Sequence, residues 1–543
     1  MKRIALILTA LVAVASLSAQ TAKTVIVPRP MEVTAVKGAY TVTAKSVIAA
    51  TDAELVRSAE LFASYVAKDL GATLAVEQKE KGGIVLSLDK ELASEEYTLN
   101  ISSKGVKIVG GTPAAVFYGL QSLRQLVSAG EATKKGVKLE GVAIKDKPLL
   151  GHRGAMLDVC RYFYTVAEVK RFIDIMAIHK LNRFHWHLTE DQGWRIEIKK
   201  YPNLTKVGSM RKETAIYGTN PKNGRTHITG YDGKPHGGYF TQEQVREIVR
   251  YATERYIEVI PEIDMPGHMV AALASYPELG CTKGPYEVRT KWGISKDVLC
   301  AGRESTFEFI EGVLDEVVAL FPSKYIHIGG DECPKHRWKE CPECQARIAK
   351  EGLKDEHELQ SYFMKRVEKY LAEKHGRSII GWDEILEGGV SKTATVMAWR
   401  GAKRGILAAK LGNQVVMTPY HYCYLDYANT SDRVKNGEPI CGGRNGKRPI
   451  TLRIAYSFDP YAELNEKERT YIMGVQGNMW TEYVPNFDHV QHMILPRTAA
   501  IAEVGWSYGN QNYDDFARRM HLLRKLYDKC GFKYAPYFFN GIE

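Results

Sequence analysis

Residues 325–332 (YIHIGGDE) join a short apolar and β-branched run to two glycines and two adjacent carboxylates. The apolar run predicts a buried strand, and glycines at its end allow backbone or ligand to approach closely. A carboxyl group that stays partly protonated beside an ionised carboxylate can act as an acid near neutral pH. An Asp-Glu pair is also common on solvated loops, so the catalytic interpretation depends on the rest of the chain.

The alternation of strand and helix patterns around this stretch predicts a barrel. Predicted strands cover residues 155–159, 183–188, 258–263, 325–328, 378–382, 395–399, 414–418 and 473–479. Helical patterns occupy residues 166–179, 243–256, 306–320, 356–375, 403–411 and 489–504. Eight strands alternating with helices fit a (β/α)8 TIM barrel with insertions, and a doubly wound open sheet is the alternative. In the barrel, the residues that follow each strand converge on one face, where chemistry is expected.

The first 147 residues differ from the rest in composition. All eight tryptophans of the chain follow residue 148. Before it, strand-like runs alternate with helical patterns, with strands at residues 24–27, 83–88, 97–101 and 106–109 and helices at 52–70 and 112–128. We therefore predict a small α/β domain over residues 20–147 and the barrel catalytic domain over residues 148–543.

Residues 1–19 have the features of a secretory signal peptide. Lys2 and Arg3 precede an apolar run that is too short to span a bilayer, and small residues follow it. No cysteine follows the predicted cleavage site, and no later stretch is apolar enough for a membrane helix. We expect a protein exported to the periplasm or the cell exterior. The formal net charge of +11 includes no Lys/Arg block and no nucleic-acid motif, so it indicates solubility rather than nucleic-acid binding.

Nine cysteines are an odd number, so at least one is free or pairs outside the chain. Cys281 and Cys300 bracket a polar loop, and we expect a disulfide between them in an oxidising compartment. Cys333, Cys341 and Cys344, with His336 among them, suggest zinc. Their spacing is irregular and lacks a clear fourth ligand, so a local disulfide or buried thiols are favoured there.

The predicted strand ends are rich in groups that suit a sugar. Carboxylates and arginine hydrogen-bond paired hydroxyls, while indole faces cover apolar C–H surfaces. In strand order these residues are Asp158 and Arg161; His185, His187, Glu190 and Asp191; Asp264 and His268; Asp331 and Glu332; Trp382 and Asp383; Trp399 and Arg400; Tyr420, Tyr424 and Asp426; and Trp480 and Glu482. This mixture indicates a polyol ligand.

Eight ordered motifs resemble a known family. They are HRGAMLDVCRYF from His152, FHWHLTEDQGWR from Phe184, PEIDMPGH from Pro261, HIGGDE, GWDE, MAWRG, YLD and WTE. In this order they resemble the family 20 glycoside hydrolases, the β-N-acetylhexosaminidases, and the segment YGLQSLRQL from Tyr118 resembles that family's preceding small domain. The resemblance implies an exo-acting retaining enzyme that needs no cofactor or metal. Its partners would be glycans with a terminal β-linked N-acetylhexosamine.

The resemblance also implies roles for individual residues. Glu332 would be the general acid, Asp331 would orient the substrate's 2-acetamido group, and that group's oxygen would be the nucleophile. The remaining implied contacts are Tyr424 on the acetamido carbonyl, Arg161 on the 3- and 4-hydroxyls, Asp426 and Glu482 on the 4- and 6-hydroxyls, Trp382, Trp399 and Trp480 around the acetamido pocket, and His268 in a polar network that supports Glu332. Where the family more often has Asp-Asp, this chain has Glu190-Asp191, which puts in doubt how tightly His268 is held.

Two other classes are weighed against this interpretation. A metal-dependent hydrolase could use His185 and His187 with Asp264 or Asp331, but the histidines expected on strands five and six are missing. A non-catalytic glycan-binding protein would not need both Asp331 and Glu332. The sequence leaves open the sugar stereochemistry, the natural glycan, the size of the released product and the oligomeric state, and residues 217–239 and 429–449 are predicted to form the rims of the subsites.

Overall fold

The computed structural model describes residues 24–219, 226–443, 448–507, 509 and 511–542. The signal peptide predicted at residues 1–19 lies outside this part of the chain. Among the described residues, none of the helices is both long and apolar enough to cross a membrane.

A closed barrel of eight parallel strands forms the larger part of the molecule. The strands are β9 His152–Asp158, β10 Arg183–His187, β11 Glu258–Met265, β12 Tyr325–Gly329, β13 Ser378–Trp382, β14 Thr395–Ala398, β15 Val415–Met417 and β16 Ile472–Met479. They pair in this order, and β16 closes on β9 in parallel register. The (β/α)8 prediction is therefore confirmed and the open-sheet alternative is wrong.

Helices connect and cover the barrel strands. The longer ones are α3 Val166–Ile178, α4 Gln242–Thr253, α5 Glu304–Leu320, α6 Glu356–His375, α7 Ala402–Lys410, α8 Arg497–Ser507 and α9 Tyr513–Cys530. Local sequence fixes the starts of α3 and α4, because Thr165 with Glu168 and Thr241 with Gln244 form capping boxes. The single helix predicted at 489–504 is instead two helices, Phe487–Ile494 and α8, separated at Pro496, which has no backbone N–H to donate.

Short elements decorate the barrel. The strands are Thr189–Glu190, Gly193–Trp194, Met210–Arg211, Ala215–Thr219, Thr226–Tyr231 and His236–Gly237. The helices and single turns are Asn203–Lys206, Val270–Ser275, Pro277–Leu279, His336–Glu340, Pro342–Glu351, Asp383–Leu386, Tyr420–Cys423, Leu452–Tyr456, Glu466–Arg469 and Phe538–Asn540. Most of them lie after a strand's carboxyl end, on the face where the barrel fold carries its chemistry.

A mixed sheet precedes the barrel. Its strands are β1 Glu32–Val42, β2 Val47–Ala50, β3 Ala75–Gln78, β4 Ile84–Leu88, β5 Tyr97–Ser102, β6 Gly105–Gly110, β7 Glu131–Thr133 and β8 Gly136–Asp146. The order is β1-β8-β5-β6-β4-β2-β3, with β7 beside β8. The helices are α1 Val56–Leu70 and α2 Pro113–Ala129, which also contact α9. The α/β class is confirmed, but the strand predicted at 24–27 is wrong, because that segment pairs with no strand.

The expected disulfide between Cys281 and Cys300 is wrong. All nine cysteines lie in the described residues, and all nine are free. Cys281 Sγ lies 3.8 Å from Cys344 Sγ, and Cys300 Sγ lies 3.7 Å from Cys341 Sγ. Cys281 and Cys300 therefore both lie beside the turn that carries Cys341 and Cys344. Cys333 is not part of this group of four cysteines.

Buried polar contacts join the sheet to the base of the barrel. Arg153, at the start of β9 and away from the active face, donates to Glu95 Oε1 at 2.8 Å. Its guanidinium also lies 4.9 Å from the Trp506 ring centroid. Lys180 Nζ lies 3.2 Å from Asp146 Oδ2, and both side chains are fully buried. Removing one member of such a buried pair leaves its partner uncompensated.

We predict that Arg153→Met lowers the free energy of unfolding by about 3 kcal/mol, because Glu95 and two backbone carbonyls lose a buried donor. Arg57→Met is the matched control, because its pairing with Glu254 also joins the two parts but is exposed, and we expect a loss below about 1 kcal/mol. Urea unfolding followed by tryptophan fluorescence measures both. Equal losses would contradict the larger contribution expected of the buried Arg153 contacts.

Candidate active site

A cavity of about 240 Å³ opens at the carboxyl ends of the barrel strands. The residues predicted from the sequence meet there, at or after the ends of seven of the eight strands. Those that line the cavity are Arg161, His268, Asp331, Glu332, Trp382, Trp399, Tyr424, Asp426, Trp480 and Glu482. Glu190 lies behind the wall instead, where it contacts Arg161 and His268. Gly442 and Gly443, from the rim predicted at residues 429–449, also line the cavity, as do Tyr427 and Tyr483, which no motif had indicated.

The backbone after β12 is shaped to present two carboxylates. Glu332 has a φ of 44°, in the left-handed region that non-glycine residues rarely adopt. Gly329, with a φ of 67°, is required because a Cβ there would lie 1.7 Å from Asp264 Oδ1. The Gly330 N–H donates to that same Asp264 oxygen at 3.3 Å. Asp264 therefore fixes the turn that places Asp331 and Glu332 in the cavity.

His268 stands between the carboxylates of two loops. Its Nε2 lies 3.6 Å from Asp331 Oδ2 and 3.7 Å from Glu332 Oε2. Its Nδ1 lies 2.7 Å from Glu190 Oε1. Although burial disfavours the cation, Glu190 and Asp331 raise the pKa of His268 well above its ordinary value. The longer Glu190 side chain thus reaches His268 at hydrogen-bond distance, and the imidazolium lies beside both acidic groups.

The two adjacent carboxyls differ in what surrounds them. Burial raises the pKa of Glu332 to about 7, with the cation of His268 opposing the rise and the charge of Asp331 adding to it. Burial also raises the pKa of Asp331, while the His268 cation opposes the rise. Burial and the neighbouring Asp331 charge raise the pKa of Asp264 well above its ordinary value. Glu332 is therefore a carboxyl group that can hold a proton near neutral pH and still release it.

Arg161 anchors the polar side of the cavity. Its Nη2 lies 2.9 Å from Glu190 Oε2, and its Nη1 lies 3.3 Å from Asp158 Oδ2. Burial raises the pKa of both Asp426 and Glu482. The charge of Glu482 adds to the rise at Asp426, and the Arg161 cation opposes the rise at both residues. These groups offer donors and acceptors side by side, which is what neighbouring hydroxyls require.

Aromatic rings line the cavity next to these polar groups, and the Arg161 guanidinium lies 5.0 Å from the Trp480 ring centroid. The Trp382 and Trp480 rings lie 5.8 Å apart at 42°, and the Trp399 and Tyr424 rings stack at 6.0 Å and 18°. Tyr424 and Trp480 are 6.3 Å apart, so the four rings are continuous. Hydrogen bonds fix their planes, because Trp382 Nε1 donates to Glu262 Oε1 at 2.7 Å and Trp399 Nε1 donates to Glu384 Oε2 at 2.9 Å. An apolar slot results beside Asp331.

Glu262 is the main residue that sequence reasoning missed. It is fully buried in the barrel and lies 2.9 Å from His185 Nε2, 2.5 Å from His187 Nδ1 and 3.1 Å from His327 Nδ1. Its position in the PEIDMPGH motif was the one available signal. A carboxylate in the middle of a buried strand is rare unless it is paired, so this position could have been singled out.

The H-x-H pair lies inside the barrel, below the cavity. His185 and His187 are fully buried and do not line the cavity. His187 Nε2 lies 3.4 Å from Glu190 Oε2, and Gln476 Nε2 donates to His185 Nδ1 at 3.0 Å. Carboxylates and an amide therefore engage these imidazoles from within the barrel, below the cavity.

A second cavity of about 360 Å³ adjoins the first and shares Glu482 and Tyr483 with it. Tyr162, Tyr217 and Trp292 line it, and the rings of Tyr217 and Trp292 stack at 6.2 Å and 10°. Both loops predicted as rims contribute to it, although residues 220–225 and 444–447 lie outside the described part of the chain.

Two family models match the chain. Residues 150–508 match "Glycosyl hydrolase family 20, catalytic domain", and residues 23–147 match "Glycosyl hydrolase family 20, domain 2". A β-hexosaminidase of Porphyromonas gingivalis is 45% identical over 520 residues, which cover 94% of this chain and 64% of the relative. A β-hexosaminidase of Akkermansia muciniphila is 36% identical and covers 79% of this chain and 83% of the relative.

Solved structures give the same likeness. The chain superimposes with a TM-score of 0.82 and 30% identity on a GH20 exo-β-N-acetylglucosaminidase of Vibrio harveyi in complex with N-acetylglucosamine. The match covers 95% of this chain and 79% of that one. The chain thus spans less than two thirds of the Porphyromonas relative's length but most of the length of the other two.

We predict that Asp331→Asn lowers the pKa of Glu332 from about 7 towards its ordinary value, because the substitution removes a negative charge that raises it. The titration is followed by ¹³C NMR of labelled glutamate carboxyls, with the Glu332 resonance identified by its loss in Glu332→Gln. Asp297→Asn, which removes a charge paired with Arg337 on another loop, should leave the titration unchanged. A Glu332 pKa that Asp331→Asn does not lower would contradict the electrostatic coupling.

Proposed function

The chain belongs to glycosyl hydrolase family 20, and from that premise we propose that it is an exo-acting, retaining β-N-acetylhexosaminidase. It would release terminal β-linked N-acetylglucosamine or N-acetylgalactosamine from glycans. The observation that carries the proposal is the Glu332 carboxyl, whose pKa is about 7, in a cavity with Asp331 beside it. A proton donor of this pKa suits protonation of a glycosidic oxygen near neutral pH.

The nucleophile we propose is the substrate's own 2-acetamido oxygen. Asp331 and Glu332 are consecutive residues of one loop, so both approach a bound sugar from the same wall. The other carboxyls of the cavity, Asp426 and Glu482, have pKa values raised by burial, which suits hydrogen bonding to hydroxyls better than attack. The family is an exception to the two-carboxylate retaining scheme.

Each wall of the cavity has a proposed role in this reaction. The slot formed by Trp382, Trp399, Tyr424 and Trp480 would hold the acetamido methyl group and carbonyl. Asp331 would hold the acetamido N–H and offset the positive charge of the oxazolinium-like intermediate. Arg161, Asp426 and Glu482 would bind the ring hydroxyls. Support for an exo mode comes from the small volume, about 240 Å³, which suits one terminal sugar.

The neighbouring cavity extends this proposal to the rest of the glycan. Its stacked rings, Tyr217 and Trp292, offer flat apolar surfaces to the sugar that follows the scissile bond.

We also propose that the protein is exported. We propose further that it divides into a small α/β domain at residues 20–147 and the catalytic domain at residues 148–543.

We predict that Glu332→Gln lowers the rate on alkyl N-acetylglucosaminides by roughly 10² to 10⁴, because the amide keeps the shape but supplies no proton. Aryl glycosides with good leaving groups need less protonation and should lose less. Steady-state kinetics on a series of leaving groups measures the difference. Equal losses for alkyl and aryl substrates would show that Glu332 is not the general acid.

We further predict that progressive fluorination of the substrate's N-acetyl group lowers kcat, because the carbonyl oxygen becomes a weaker nucleophile. Each tenfold loss corresponds to about 1.4 kcal/mol of barrier. Asp331→Asn should lower the rate with the unmodified substrate, since an amide offsets no positive charge. The first product, followed by ¹H NMR, should have the β configuration. A rate indifferent to fluorination, or a product of inverted configuration, would exclude the proposed nucleophile.

A further inference from the structure

Four cysteines from two loops converge outside the cavity. Cys281 and Cys300 lie in the loop that follows β11, and Cys341 and Cys344 lie in the loop that follows β12. Their sulfur atoms all lie within 4.8 Å of one another. Cys300, Cys341 and Cys344 are buried, and Cys281 is partly buried. Cys333, which is close to Cys341 and Cys344 in sequence, is not part of this group.

The distances fit a tetrahedron of sulfur atoms. Zinc binds cysteine sulfur at about 2.3 Å, so a tetrahedral site has sulfur atoms about 3.8 Å apart. Here the Cys281–Cys344, Cys300–Cys341 and Cys300–Cys344 separations are 3.8, 3.7 and 3.6 Å. Cys300 is thus almost equidistant from two sulfurs, whereas a disulfide would draw one pair to about 2.05 Å.

The sequence around the cluster has the form of a metal-binding turn. Cys341-Pro342-Glu343-Cys344 has the C-x2-C spacing of structural zinc sites, and Cys281 and Cys300 supply the other two ligands. Backbone N–H groups point at the sulfurs, that of Cys344 at Cys341 and that of Gly302 at Cys300. A Cβ at Gly302 would lie 2.2 Å from the Glu343 carbonyl carbon, so only glycine allows the loops to approach this closely.

The charged groups nearby are consistent with a bound tetrathiolate. Zinc with four thiolates carries two negative charges, and the thiol protons leave when the metal binds. Arg303 lies at the cluster, where it donates to the Gly280 carbonyl at 3.0 Å and to Glu343 Oε1 at 3.3 Å. The thiol of Cys341 donates to Glu343 Oε2 at 3.2 Å, and after loss of that proton Glu343 keeps Arg303 and Lys283 as partners.

We propose that Cys281, Cys300, Cys341 and Cys344 bind one structural Zn²⁺ ion, which ties the two loops together. The loop after β11 carries His268, and the loop after β12 carries Asp331 and Glu332. The loops also meet where Trp338 Nε1, from the loop after β12, donates to the Leu299 carbonyl of the loop after β11 at 2.8 Å. The metal would hold the acid and its imidazolium at a fixed separation without touching the substrate. This proposal goes beyond the proposed glycosidase function and is tested independently of it.

The first experiment measures metal content. Full-length protein purified without chelator should contain about one zinc per chain by ICP-MS, and titration with an organomercurial should release it. Zinc K-edge absorption should show four sulfur ligands at about 2.3 Å. Protein grown with cobalt should show thiolate-to-cobalt charge transfer and tetrahedral d–d bands. Metal-free protein with disulfides in non-reducing peptide maps, metal-free protein with all nine thiols titratable, or a red iron protein would each overturn the proposal.

Variants test which residues bind the metal. Cys300→Ser and Cys344→Ser should lose the zinc, whereas Cys333→Ser is the matched control from the same loop and should keep it. Loss of zinc should increase amide hydrogen exchange in residues 266–303 and 333–352 while leaving residues 32–146 unchanged. Should a variant fail to fold, the zinc content and absorption spectrum of the unmodified protein still decide the question. Equal zinc content in all three variants would also overturn the proposal.

Discussion

The buried carboxylate of Glu262 is the interaction on which the active face depends. An isolated carboxylate inside a barrel would cost many kcal/mol, so the fold must surround it with donors. His185 and His187 of β10, His327 of β12 and Trp382 of β13 supply them at 2.5–3.1 Å. Because these partners come from three strands besides its own, Glu262 can be satisfied only when that side of the barrel has closed. Closing the barrel therefore also orients the indole of Trp382.

Alternating charges extend from Glu262 to the cavity. Burial opposes the cation, but Glu262 and Glu190 raise the pKa of His187 to about 10. Burial likewise opposes ionisation of Glu190, yet Arg161 and His268 hold its pKa well below the ordinary value. His268 then faces Asp331 and Glu332. Each charge is compensated by the next one, which is how several ionised groups can persist in a buried region. Glu332 and Arg161 are thereby held by one network.

Sequence patterns predicted the parts of this arrangement that depend on local periodicity. Apolar runs and helical spacing predicted all eight barrel strands. Their positions after predicted strands indicated that Arg161, His268, Asp331 and Glu332 would meet on one face, and all four line the cavity. Pairing across the barrel was not predictable, because the contact of Glu262 with three histidines depends on strand register. The cysteines show the same limit. Cys300 lies 41 residues from Cys341, and only the folded loops reveal that they meet. The first strands of the small domain were missed because their alternation is weak.

The acid strength of Glu332 depends on the spacing of two loops. Its pKa of about 7 is the result of burial, which raises it, and of the His268 cation, which lowers it. Moving His268 away would weaken the acid, and moving it closer would strengthen it. The loops touch at Gly267, where a Cβ would lie 3.1 Å from the Asp331 carbonyl oxygen and 3.4 Å from Cys333 Cα. Backbone contact at Gly267 sets how closely the two loops approach each other. Glu190 Oε1 holds the His268 imidazole through its Nδ1 at 2.7 Å. The pKa of the proposed acid is therefore a property of loop packing rather than of Glu332 alone.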